Sequence, residues 1–281
     1  MSAVSPGGRA APPAPTEAVT LDPWTHLAAA TPARIALGRA GAGQPTAAVL
    51  AFSLDHALAR DAVHTALDVE ALAARLAGLG LDSLPVSSAA ADRAAYLRRP
   101  DLGRRLSPAG RARLAEAAAG RAGNAPDVAV VVADGLSATA VDANAVPFLA
   151  AFLPIAAAAG WRLAPVVVAS QARVALGDEV GEILAARATV LLVGERPGLS
   201  SPDSLGLYLT YAPRRGLTDA DRNCISNVRP AGLSPAVAAG KLAQLLAGAF
   251  ALGLSGVRLK DTGDPALAAA EPVARLAPDP G

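Results

Sequence analysis

The chain has 281 residues, is 52% hydrophobic and only 3% aromatic, and sets 25 basic against 24 acidic residues for a net charge of +1. That length holds one large domain or two ordinary ones with a sizeable core. The even charge balance gives no electrostatic footprint for nucleic acid, and a single cysteine, Cys224, excludes an internal disulfide and suits a reducing cytosol.

In chain order, residues 1–22 are dominated by Pro, Gly, Ala and Ser without the apolar core of a secretory signal, and are expected to form a disordered tail. From Trp24 to Gly80 the spacing is helical. "TPARIALG" (31–38) offers Thr31 as a cap and Pro32 at the first helical position, and 45–67 repeats this with Pro45. There Val49, Phe52, Ala59 and Val63 recur at the helical period. Residues 68–80 form a further amphipathic helix closed by glycine. The Arg-rich passage 87–120 reads as a loop flanked by two helical pieces.

The texture changes at 124–141, where Val128 to Ala133 is a continuous apolar run bounded by "NAPD" and "DG", the pattern of a strand buried on both faces. Similar runs lie at 164–170, 187–194, 205–212 and 255–261, with helical stretches near 138–160, 177–186 and 233–253. The longest apolar run, 148–159, is interrupted by Pro154 and falls short of the roughly 20 residues of a bilayer span. The expectation is a soluble α/β protein. A helical N-terminal domain (23–120) precedes a Rossmann-like, mostly parallel sheet flanked by helices (121–262), with a flexible tail over 263–281.

Several chemistries fail on spacing. "DGLSAT" (134–139) begins like a nucleophile elbow, but Thr139 stands at its last glycine position, and His26, His56 and His64 all precede Ser137, the wrong order for an α/β-hydrolase. Ser137 suits a helix cap better. His64 between Asp61 and Asp68 lacks a second histidine at ligand spacing, and Cys224 has no Cys or His nearby, so no metal site is expected. The strand-end loop "VGERPGLSSPDSLG" (193–206) matches neither the dinucleotide nor the P-loop fingerprint, and the chain has only two lysines, Lys241 and Lys260. It still lies at the carboxyl end of an expected strand, where open α/β sheets bind ligands. Read alone, Glu195 is also compatible with pairing to Arg196, Val174 with the core, and Cys224 with a buried thiol.

Longer stretches resemble one family. "RIALGRAG" with "QPT" and "ARDAVH" (34–64), "DRAAYLRRPDLGRRL" (92–106), "VADGLSATAV" (132–141), "RVALGDEVGEIL" (173–184), "LLVGERPGLSSPDSLGLYLTY" (191–211) and "DRNCISNVRP" (221–230) are similar to the light (small) subunit of adenosylcobalamin-dependent ethanolamine ammonia-lyase. The resemblance spans roughly residues 24 to 261. It implies half of an enzyme that turns ethanolamine into acetaldehyde and ammonia by radical chemistry, inactive without its large subunit, which holds the substrate. It implies a hetero-oligomer of repeated heterodimers, cytoplasmic and either free or inside a bacterial microcompartment, with no nucleic-acid or membrane partner. It implies no catalytic residue here but three cobalamin contacts, Val174, Glu195 and Cys224. No D-x-H-x-x-G motif is present, so the resemblance implies base-on binding with the cofactor's own benzimidazole kept on cobalt. Arg98, Arg99, Arg104 and Arg105 are loose candidates for its phosphodiester. The competing reading is a non-catalytic cobalamin-binding or regulatory module.

Overall fold

The computed structural model describes residues 18–121 and 123–261; most of the two expected tails therefore lies outside the described residues. The chain divides into two compact units, one reaching His56 and the other starting at Ala57.

In the first unit, a 3-10 turn (Thr25–Ala30) is followed by irregular chain. The helix expected over 31–38 does not form. Ala36 and Gly38 take φ of 52° and 76°, and Gly38 lies so close to the Thr20 carbonyl that a Cβ would stand 2.7 Å from it. The Thr31 hydroxyl accepts from Ala33 N in a local turn instead of capping a helix. Helix α1 (Thr46–His64) starts directly after Pro45, as its missing N–H favours.

The second unit is built on a six-stranded sheet in the order β1-β3-β2-β4-β5-β6. Its strands are β1 (Ser83–Ser87), β2 (Val128–Ala133), β3 (Val166–Ser170), β4 (Ala188–Gly194), β5 (Leu205–Tyr211) and β6 (Arg222–Val228). The first four in spatial order pair in parallel, whereas β5 runs antiparallel to both of its neighbours, β4 and β6. Every residue of β2 and β4 is buried, which is why these runs carry no polar alternation.

Helices α2 (Val69–Ala77), α5 (Ala138–Ala158) and α7 (Pro235–Leu252) pack on one face, where Phe148, Phe152, Leu242 and Leu246 meet Val130, Val190, Leu207 and Ile225. α5 and α7 are long and apolar enough to cross a membrane, and each buries one side in this core. The other face is covered by α4 (Pro108–Ala119) and α6 (Leu176–Ile183), while α3 (Arg93–Arg98) lies in the chain between β1 and α4. Caps follow the sequence: the side chains of Asp68, Asp92, Ser107, Ser137 and Ser234 each accept a backbone N–H at their helix starts.

Two strands were not anticipated, β1 and β6, and one expected strand is absent. Residues 255–261 form a 3-10 turn at Gly256–Arg258. The Asn223 amide takes the place of a ladder there, donating to the carbonyls of Gly256 and Leu259 while its Oδ1 accepts Gly256 N–H at 2.7 Å.

Candidate functional site

A parallel connection brings a helix back across the sheet, so β2–α5–β3–α6–β4 covers both faces as it runs. The chain leaves β4 by the loop 195–204 and returns as an antiparallel neighbour, with no crossover helix. The leucines at 205, 207 and 209 turn to the covered side and enter the core. Gly206, Tyr208 and Thr210, with Arg222, Cys224 and Ser226 of β6, alternate to the opposite face. Among the described residues of the second unit, no helix packs on the end of this face that carries Tyr208, Cys224 and Ser226.

Glu195 folds over this face at the end of β4. Its carboxylate accepts from Ser204 Oγ (2.5 Å), Ser226 Oγ (2.5 Å) and Asn227 N (3.3 Å), tying β4, β5 and β6 together. Gly206 makes room for it: a Cβ there would stand 2.9 Å from Glu195 Oε1 and 3.3 Å from the Tyr208 ring. Arg196 is exposed and takes no part.

Tyr208 and Cys224 are cross-strand partners whose hydroxyl and thiol lie near enough to shift each other's titration. Burial, then the Cys224 sulfur and the Glu195 carboxylate, push the phenol above its ordinary range. Cys224 is exposed at the edge of the patch. Desolvation nevertheless raises its thiol, Glu195 acts in the same direction and only the Tyr208 hydroxyl opposes them, so it stays protonated at neutral pH.

Val174 lies on the turn between β3 and α6, partly exposed, and lines a crevice of about 430 Å³ together with Tyr208 and Arg222. The turn is fixed from below. Asp134 accepts from Gln171 N (2.9 Å) and Ala172 N (3.1 Å), and Arg93 lies 3.6 Å from the same carboxylate. Burial raises the Asp134 pKa against those two N–H bonds and the Arg93 charge. The Tyr96 ring is held between the guanidiniums of Arg93 (4.8 Å) and Arg173 (4.6 Å). Beneath β6, Arg222 makes a close ion pair with Asp178 of α6, both side chains 3% exposed. Burial pushes Asp178 upward while Arg222 holds it down.

Ser137 is a cap: its hydroxyl accepts from Ala140 N and donates to Pro202 O at 2.7 Å, and Asn144 and Arg229 fasten the same loop at Asp203. Thus Glu195 and Cys224 share one surface, and Val174 joins it through the crevice lined by Tyr208. Tyr208, Gly206, Ser204 and Ser226 were not singled out from sequence. The signal for Gly206 and Tyr208 was the G-x-Y-x-T pattern interleaved with leucines at 205–210.

The model of the family described as ethanolamine ammonia-lyase light chain (EutC) matches residues 21–260. A protein of Azotobacter vinelandii named ethanolamine ammonia-lyase small subunit is 60% identical over 242 residues, covering 86% of this chain and 89% of that protein. Proteins of the same name from Xanthomonas campestris pv. campestris (58% over 257 residues, 92% and 94% covered) and Pseudomonas putida (58% over 240 residues, 85% and 88% covered) are similar to it over nearly the same span. The chain belongs to the ethanolamine ammonia-lyase light chain family.

Proposed function

We propose that this chain is the light subunit of an adenosylcobalamin-dependent ethanolamine ammonia-lyase, closing the cofactor site while a large subunit holds ethanolamine. The observation that carries the reading is the helix-free end of the sheet, where Glu195, Tyr208 and Cys224 lie side by side with Val174 nearby. A bare sheet platform bordered by a crevice suits a broad, rigid ligand better than a small one.

The residues present fit such a cofactor. A carboxylate has about four acceptor positions, and the three protein donors on Glu195 leave capacity for an amide N–H of a corrin side arm. Cys224, protonated, offers a small polarisable contact, and Val174 an apolar one. Residues 121–262 contain no histidine, so this part of the chain presents no imidazole to cobalt, in keeping with base-on binding. The chemistry this cofactor supplies when bound is homolysis to a carbon radical that takes hydrogen from the hydroxyl-bearing carbon of the substrate. The residues of this chain orient and enclose. Glu195 is engaged by two hydroxyls and Cys224 keeps its proton, so neither stands ready as a base or nucleophile.

The need for a partner is supported by α1, where Val49, Leu50, Phe52, Leu54 and Leu58 are all exposed and Ala62 is the one buried residue. Apolar surface of that extent on one helix marks a protein contact, and we assign it to the large subunit. Co-expression tests the reading. Both subunits with adenosylcobalamin are expected to release acetaldehyde from ethanolamine, and either chain alone to release none. An inactive pair whose light subunit still binds cobalamin points instead to a non-catalytic cobalamin-binding module.

A further inference from the structure

Arg93, at the start of α3, gathers acceptors from three separate parts of the chain. Its Nε donates to Val63 O (2.7 Å) in the last turn of α1. Its Nη1 donates to Gly135 O (2.8 Å) after β2 and to Gln171 Oε1 (3.3 Å) after β3. The Asp134 carboxylate lies 3.6 Å from the same nitrogen, and both side chains are largely buried. Nη2 is buried as well and has no acceptor among the described residues. A buried guanidinium donor without a partner costs stability, and the fold keeps Arg93 here in spite of it.

These contacts end on the turn that leads to Val174. Gln171 takes φ of 55°, in the left-handed region that a residue with a Cβ rarely adopts. Asp134 binds its N–H and that of Ala172, and the Tyr96 hydroxyl donates to Ala172 O at 3.3 Å. Arg93 reaches both the carboxamide of Gln171 and the carboxylate beneath it. The same guanidinium closes the carboxyl end of α1, where a helix leaves carbonyls without helical partners. A planar fork serves these acceptors together, which the single ammonium of a lysine cannot do.

Resting on the cobalamin reading, we infer that Arg93 is a positioning residue that holds the β3–α6 turn in its left-handed shape and ties it to the end of α1. The helix assigned to the large subunit and the residue assigned to the cofactor thereby keep one spacing. Arg93 lies beneath the turn and acts on Val174 through Gln171 and Asp134. Without it, Asp134 keeps two backbone donors but loses its counter-charge, and the Gln171 carboxamide loses its partner. The turn is then free to relax toward negative φ, which moves Val174 within the crevice it shares with Tyr208.

The test uses the complex assembled with the large subunit, first without cofactor. In Arg93→Gln, amide hydrogen exchange is expected to quicken about tenfold at Gln171, at Ala172 and at Thr65, whose N–H closes the last turn of α1 on Asp61 O. Val190 in the centre of β4 is expected to keep its wild-type rate. Gln171→Asn still tolerates the left-handed region but is one methylene shorter, and is expected to quicken the turn about threefold and leave Thr65 unchanged. Equilibrium dialysis of cyanocobalamin should then show binding about tenfold weaker for Arg93→Gln and about threefold weaker for Gln171→Asn. The double variant is expected to bind no more weakly than Arg93→Gln, because one residue acts through the other. Arg93→Lys is expected to stay closer to Arg93→Gln than to wild type. Exchange that quickens equally at Val190 reports a general loss of stability and overturns the inference. An unchanged turn, quickened exchange with wild-type affinity, or effects of the two substitutions that multiply in dialysis also overturn it. If Arg93→Gln does not assemble, Gln171→Asn decides alone, and wild-type exchange and affinity there overturn the inference. A wild-type complex that binds no cyanocobalamin removes the cobalamin reading, while exchange at Gln171 and Thr65 still decides whether Arg93 ties the turn to α1.

Discussion

Replacing Glu195 separates what its carboxylate does for the fold from what it does for a ligand. Three segments converge on it through two hydroxyls and one backbone N–H. Hydrogen bonds net about 1 kcal/mol each, more when one partner is charged. The two serines regain water when the carboxylate is removed, so Glu195→Ala is expected to cost about 2 kcal/mol. In a domain of this size that lowers Tm by about 4–8 °C. Glu195→Gln behaves differently. Its amide oxygen can take the Oε2 position that receives Ser204 Oγ and Asn227 N, and its NH₂ can donate to Ser226 Oγ, which turns to accept. Gln is therefore expected to melt within about 2 °C of wild type, while losing cobalamin affinity in the assembled complex because an acceptor has become a donor. Differential scanning calorimetry and a spectral titration check the pair. If Glu195→Ala melts at the wild-type temperature, the carboxylate is not holding the corner together and the reasoning fails.

Asp178→Ala leaves Arg222 buried with only the exposed Asp219 as a carboxylate partner, and is expected to cost about 3 kcal/mol; urea midpoints should show Asp178→Leu with Arg222→Met recovering most of it, and equal loss in both would contradict the argument. Gly135→Ala meets φ of 56° and a Cβ position 2.2 Å from Gly194 O, so a loss of roughly 3 kcal/mol or more, or no soluble protein, is expected in an expression and unfolding assay. Asp127 is pushed upward by burial, the largest single influence, but hydrogen bonds from Arg162 and Arg187 outweigh it and its pKa is lowered. A lowered carboxyl stabilises above its unfolded pKa, about 4, and that contribution disappears as pH falls through the folded value. Asp127→Asn should accordingly flatten the acid limb of a stability–pH curve, and an unchanged limb would remove the assignment.

The parallel centre of the sheet was legible because β2, β3 and β4 are almost wholly apolar. Helices α5 and α6 between them, and α7 after β6, were legible too. The edges were not. β1 carries Pro85 and two serines, and β6 alternates Cys224 and Ser226 with Ile225, so neither reads as a buried run. The turn at Gly256 mimicked a strand because its pairing runs through one side chain, Asn223, which periodicity does not register. At the candidate site, Val174, Glu195 and Cys224 came from resemblance. That Tyr208 lies between them follows from strand register, which only the antiparallel return of β5 fixes. The arginines at 98–105 look alike in sequence, and only the structure shows Arg98 and Arg99 to be locally paired.

The missing crossover after β4 has a consequence for how this chain can change. A free-standing α/β protein gains solubility and stability by laying a helix or a row of charges over any uncovered sheet. Here either remedy would occupy the ground on which Tyr208 and Cys224 stand. On the proposed reading, substitutions that would improve the isolated subunit are thereby closed to it at this end, and its durability is passed to what lies on the platform. Selection for yield of the light subunit alone should consequently enrich changes at Gly206, Tyr208 and Cys224 that impair the assembled enzyme, whereas selection on the complex should leave those positions untouched.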